Sequence, residues 1–171
     1  MCRWFSVIVV VVLSALGAIG EEFSGRVVAI ADGDTITVLV GKQQHKVRLH
    51  GIDCPEVKQP FSQKAKEFTG DLAFGKKVTV ESHGKDRYGR DLGRVTLPNG
   101  KILNEEILTA GLAWWYWKFA PKETGFEKLE QEARKAKRGL WADKNPVPPW
   151  EFRANPKPAK KPPPPKAAAS K

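Results

Sequence analysis

At 171 residues, 41% of them hydrophobic, the chain holds enough material for one domain with a single core, plus ends that need not fold. Its net charge of +10 is unevenly placed: residues 144–171 carry seven Lys or Arg against one acid, so the body is only mildly basic and general attraction for polyanions falls mostly to the tail. Two cysteines, one of them at position 2, exclude a disulfide scaffold.

The first twenty residues combine a short basic start at Arg3, an apolar run from Val7 to Ile19, and a polar break at Glu21-Glu22. Ala18 and Gly20 put small residues where a signal peptidase would cut before Glu21. The expectation is a signal peptide over 1–20 and a secreted, periplasmic or cell-envelope protein. The alternative is a membrane anchor, although the run falls short of the roughly 20 apolar residues that span a bilayer. Cleavage would remove Cys2 and leave Cys54 as the only thiol, which reads as a small filler held protonated by its acidic neighbours.

From Phe23 to Ile30 apolar and polar residues alternate, and after Ala31-Asp32-Gly33-Asp34-Thr35 alternation resumes at Ile36, Val38 and Val40. This predicts strand, tight turn, strand. A third strand is predicted over Gln44–Ile52, with Val47 and Leu49 on one face and Arg48, His50 and Ile52 on the other. Pro55 ends it, because proline cannot donate to a ladder and holds the residue before it extended. Phe61, Ala65, Phe68 and Leu72 recur at helical spacing up to Gly75.

Strands at Val78–Val80 and Gly93–Leu97 follow, joined by a polar link from His83 to Asp91. Asn104 is placed to cap a second helix that closes at Gly111, and Thr124 with Glu127 makes a capping box for a third, which stops at Gly139. Glu130 and Arg134 are spaced to pair along it, and Leu140 and Trp141 are expected to dock back on the core. Five short strands with one helix after the third and two after the fifth predict an α+β fold, a five-stranded OB-type β-barrel with three helices, over residues 21–143. Nine of the thirteen prolines lie beyond Lys144, so 144–171 is expected to be a disordered, partly PPII Pro/Lys-rich tail.

Asp34, Asp53 and Glu56 flank strand ends, with Arg48 five residues before Asp53 and an Arg-Tyr-Gly-Arg run at 87–90. Two of the acids can hold a hard cation, the third can serve as a base, and the arginines can hold phosphoryl oxygens. These are the parts that hydrolysis of a phosphodiester needs, because its transition state gathers charge on those oxygens.

The chain resembles the staphylococcal nuclease (thermonuclease) family in D-G-D-T at 32–35, R-L-H-G-I-D-C-P-E at 48–56, D-R-Y-G-R at 86–90, N-E at 104–105, G-L-A at 111–113 and G-L-W at 139–141. The resemblance implies a Ca²⁺-dependent enzyme that hydrolyses DNA and RNA and leaves 3′-phosphate ends. It implies Asp34, Asp53 and the backbone carbonyl of Cys54 as metal ligands, Glu56 as general base, and Arg48 and Arg90 as the other catalytic residues. Arg87, Tyr88 and Trp117 are implied as substrate-binding residues, with single strands preferred and the enzyme a monomer. Cys54 stands where the family's best-known member has Thr, which is harmless if only the carbonyl binds. The alternative is a catalytically inactive OB-fold module that binds single-stranded nucleic acid, but such a binder gains nothing from three acids on a phosphate-facing surface. A structural cell-envelope protein would leave Arg48, Arg90 and the acids unexplained.

Overall fold

A computed structural model describes residues 21–155. The expected signal at 1–20 and the last part of the expected tail, 156–171, lie outside the described residues. Strands β1 (Glu21–Asp32), β2 (Thr35–Val40), β3 (Gln43–Leu49), β5 (Lys77–Lys85) and β6 (Asp91–Thr96) close into a barrel in the order β1-β2-β3-β6-β5. Every pairing is antiparallel except β3 with β6. The long β1 makes closure possible: Glu21–Arg26 pairs with β5 and Arg26–Asp32 with β2. Register shifts at Val27/Ala29 and Ile30/Asp32 bend the part paired with β2.

The predicted alternation holds inside the barrel, where Val27, Ile36, Val38, Val47, Leu49, Val78, Val80 and Val95 are essentially inaccessible. The third strand is shorter than expected. It stops at Leu49, because Gly51 turns with φ of +75° and a side chain there would press on Phe126. Ile52–Asp53 then forms a separate two-residue strand, β4, paired with β7 (Trp114–Trp115).

Helix α1 (Ser62–Ala73) buries Ala65, Thr69 and Ala73, with Ala65 and Thr69 against Gly33 in the turn after β1, while Phe61, Phe68 and Leu72 are only partly covered. The small residues let the helix approach closely enough for the Thr69 hydroxyl to donate to Gly33 O at 2.6 Å. Helix α2 (Leu103–Thr109) fills the barrel's open end with Leu103, Ile107 and Leu108. Helix α3 (Thr124–Lys135) packs beside it through Phe126, and Ala133 joins Trp114, Leu140 and Trp141 in a second cluster, as the docking of Leu140 and Trp141 requires.

Two expected caps are not formed. Asn104 lies inside α2 with its side chain buried, and Thr124 begins α3 after Glu123 without a side-chain cap. A fourth helix, α4 (Pro149–Ala154), corrects the expected three and falls inside the stretch read as an extended tail. Pro149 supplies the preset φ of a first helical position, and Trp150 stacks on Tyr116 at 5.2 Å with the rings nearly parallel. That aromatic contact gives the segment the apolar burial its Pro/Lys composition lacks. Among the described residues no helix is long and apolar enough to cross a membrane.

Candidate active site

The site is assembled at the corner where β1, β3 and β4 end. Asp34 follows the turn out of β1 and is 1% exposed. One carboxylate oxygen accepts the Cys54 amide at 2.6 Å and the other accepts the Thr35 hydroxyl at 3.3 Å. Its backbone carbonyl receives the Leu49 amide at 2.8 Å, so the turn is bonded to the end of β3. Asp53 sits on β4 with no exposure at all.

Arg48 leaves the outer face of β3 and spans the two acids. Its Nη1 donates to Asp34 Oδ1 and its Nη2 to Asp53 Oδ1 at 2.6 Å. Two buried carboxylates on different strands thus converge on one guanidinium, which offsets a desolvation cost that unpaired charges could not survive.

Glu56 lies past Pro55 and is partly exposed. Its amide donates to Gln59 Oε1 at 2.7 Å, and Gln59 Nε2 donates to Val147 O at 3.0 Å, tying the acidic corner to the chain leading into α4. From that helix comes a residue that the sequence reading did not single out. Arg153 donates through Nη2 to Asp53 Oδ2 at 2.8 Å, and through Nη1 to Glu56 Oε1 at 2.6 Å and Asp53 Oδ1 at 3.3 Å. Partial burial lowers the Arg153 pKa, but its hydrogen bonds and ion pairs with Asp53 and Glu56 outweigh this and hold it above the ordinary value. The signal that could have found it is Pro-Pro-Trp-Glu-Phe-Arg at 148–153: proline at the first turn, an acid in it and an arginine in the last.

Cys54 Sγ faces the core beside Gly33, where burial first and nearby acids second push the thiol pKa up against the opposing pull of Arg48. Any role of Cys54 at the surface therefore falls to its backbone. Arg87, Tyr88 and Arg90 form a separate group on the β5–β6 loop. Asp86 organises it by accepting the Tyr88 and Arg90 amides at 2.9 and 3.0 Å and Arg90 Nε at 2.7 Å. The guanidiniums of Arg87 and Arg90 flank the Tyr88 ring at 4.8 and 5.4 Å, and that ring is 68% exposed.

Parallel pairing sets Leu92 beside Arg48. Arg90 comes just before β6, and its bonds go to Asp86 within the loop and not to the acids of the corner. Trp117 stands apart on the segment between β7 and α3, half exposed, with Lys118 over its ring. Its neighbour Trp114 is buried, so the aromatic run divides between core and surface.

Among the described residues no group of three or more His, Cys, Asp or Glu gathers as a side-chain metal cage. The donors that do converge, Asp34 and Asp53 with Glu56 linked through Arg153, are all oxygens, and with the thiol turned inward the set suits a hard cation that also takes carbonyl and water ligands.

A mixed five-stranded barrel of OB type, with buried acids and an arginine at one strand end and a basic loop beside them, defines an SNase-like protein. The comparisons make the assignment specific. Residues 46–143 match the family model described as Staphylococcal nuclease homologue, and the chain belongs to the staphylococcal nuclease family. It is 42% identical over 132 residues to a protein of Escherichia coli named as an uncharacterized endonuclease, covering 77% of this chain and 86% of that one. It is 40% identical over 141 residues to a micrococcal nuclease of Shigella flexneri, covering 77% and 81%. A staphylococcal-like nuclease of Arabidopsis thaliana, CAN1, is 41% identical over 113 residues, which is 66% of this chain but 34% of that longer protein. Family membership places the protein among nucleases.

Proposed function

We propose that the protein is an exported, monomeric, Ca²⁺-dependent phosphodiesterase that cuts DNA and RNA, preferring single strands and leaving 3′-phosphate ends. The observation that carries this reading is the pair of buried carboxylates, Asp34 and Asp53, drawn together on Arg48 with Glu56 joined to Asp53 through Arg153. A module that only bound nucleic acid would repel its ligand there.

Asp34, Asp53 and the Cys54 carbonyl would hold the cation, which would supply positive charge to the phosphoryl oxygens. Arg48 exchanges its carboxylate partners for a phosphoryl oxygen, and Arg90 binds another from the adjoining loop. Planar guanidiniums suit this because they offer paired donors and stay charged. Glu56 takes a proton from the attacking water, in line with the leaving 5′ oxygen. Tyr88 and Trp117 present exposed ring faces on which unpaired bases stack without sequence choice, and Arg87 adds charge beside Tyr88.

A Ca²⁺ titration of activity with Asp53→Asn and Glu56→Gln side by side tests the assignment. Asp53→Asn should need more Ca²⁺, whereas Glu56→Gln should lose roughly 10²- to 10⁴-fold in kcat, the range of general-base catalysis, and not recover with excess metal. Full recovery of Glu56→Gln at high Ca²⁺ would make Glu56 a ligand instead of the base.

A further inference from the structure

Arg153 lies 100 residues from Asp53 and 97 from Glu56, yet contacts both of Asp53's carboxylate oxygens and one of Glu56's. Taking the proposed roles of those acids as given, a tethered cation sits on a metal ligand and on the base together. We propose that α4 is an autoinhibitory latch: with Arg153 docked, the site is closed to a divalent cation and Glu56 is engaged, and cation binding requires α4 to leave.

Three features make the latch reversible. First, α4 has six residues, too few to persist as a helix away from its support. Second, its apolar anchors are Trp150, which stacks on Tyr116 and packs against the cluster of Trp114, Ala133, Leu140 and Trp141, and buried Pro149; the rest is the Gln59–Val147 hydrogen bond and Arg153 itself. Third, the Arg153 side chain is 40% exposed, so it can withdraw through solvent while an incoming cation replaces its charge on the buried carboxylate. Asp53, by contrast, is fully buried, and its β4 strand is paired with β7 and not with α4. The acids are fixed and the cation moves. Arg48 is not equivalent, since it rises from a barrel strand and has no means of withdrawing as a unit.

Competition sets the size of the effect. A ligand that binds only the open form has its apparent affinity reduced by the open fraction, so a latch closed nine-tenths of the time or more weakens Ca²⁺ binding by roughly tenfold or more. Isothermal titration of the full chain with Ca²⁺, in the absence of nucleic acid, reads this directly. Arg153→Ala should tighten Ca²⁺ binding by about that factor, and Trp150→Ala, which keeps every charge but removes the stack on Tyr116, should tighten it in the same direction. Arg153→Lys should fall between wild type and Arg153→Ala, because an ammonium cannot hold both carboxylates with a planar fork. Activity at limiting Ca²⁺ should rise in parallel and converge with wild type at saturation.

Equal Ca²⁺ affinity in wild type, Arg153→Ala and Trp150→Ala would overturn the latch while leaving the nuclease reading intact. Tightening by Arg153→Ala with no change in Trp150→Ala would also overturn it, since Arg153 would then act as a fixed charge and not through α4. If none of the four proteins bound Ca²⁺, both this inference and the metal assignment would fail. Lower kcat at saturating Ca²⁺ in Arg153→Ala would make Arg153 a positioning residue for Glu56 instead of an inhibitor.

Discussion

Asn104 offers the sharpest test of how the fold holds the site, because its side chain does what a strand would otherwise do. Strand β3 pairs with β6 only as far as Leu49 and Gly93, and beyond that point Val95 N on β6 has lost its neighbour. Asn104 Oδ1 accepts that amide at 3.1 Å, and Nδ2 donates to His50 O at 2.9 Å and Gly93 O at 3.2 Å. Gly93 O also receives His50 N at 2.8 Å and stays satisfied without Asn104. Replacement by the similarly sized Leu therefore strands Val95 N, which is buried, and His50 O, which is partly buried. An orphaned buried polar group costs about 1–3 kcal/mol and a partly buried one less, so Asn104→Leu should destabilise by about 1–5 kcal/mol. For a domain of this size that is a fall in Tm of roughly 3–20 °C. Urea unfolding of wild type and variant, followed by tryptophan fluorescence with equal m-values, gives the difference directly. Asn104→Asp should not rescue it: the acceptor for Val95 N remains, but a carboxylate then faces two carbonyls. A loss below about 1 kcal/mol for Asn104→Leu would refute the reasoning, because the stranded groups would have found other partners.

Two further outcomes follow from the same packing. Gly111 has φ of +70° and a Cβ there would come within 2.3 Å of Arg138 O, so Gly111→Ala should lose more than the roughly 1–2 kcal/mol of a left-handed residue, measured by urea unfolding. Cys54 is buried with its pKa raised, chiefly by desolvation, so a thiol reagent should label it only when the protein unfolds, and Cys54→Thr should keep most of the activity in a nuclease assay.

What the sequence disclosed depended on whether one local pattern admitted one structure. Alternation through Val47–Leu49 has a single meaning on a half-buried strand, and the barrel confirms it. The same alternation runs on to Ile52, and nothing in it shows that Gly51 breaks the strand so that Asp53 can pair with Trp114. Asn104 ahead of an apolar stretch reads as a cap, but a buried crosslink between strands has the same residues at the same spacing, and only tertiary pairing separates the two. The Arg87–Arg90 loop was legible as a basic turn. That the strand after it runs parallel to β3, with Leu92 beside Arg48, is something no hairpin signal announces. Composition misled at α4, where a tail average of Pro and Lys concealed one tryptophan with a place to stack.

The charges at the corner explain why that helix matters to the fold as well as to the chemistry. Asp34 and Asp53 are removed from water, and Arg48 can neutralise only one of them, so without another cation the corner holds an unbalanced buried anion. Breaking a buried ion pair by removing one partner typically costs about 3–5 kcal/mol, because the remaining charge has neither water nor counter-ion. A nuclease that depended on its metal for that second positive charge would be least stable whenever the metal was scarce. Arg153 removes the dependence, since its guanidinium reaches both oxygens of Asp53 and is carried on the same chain. The strength of the substitute must be limited, however, because a guanidinium locked in place would also exclude the cation on which the proposed catalysis relies. A six-residue helix held mainly by Trp150 and Pro149, with a few polar contacts, meets both demands. It neutralises the acids in the resting protein and is weak enough to be displaced.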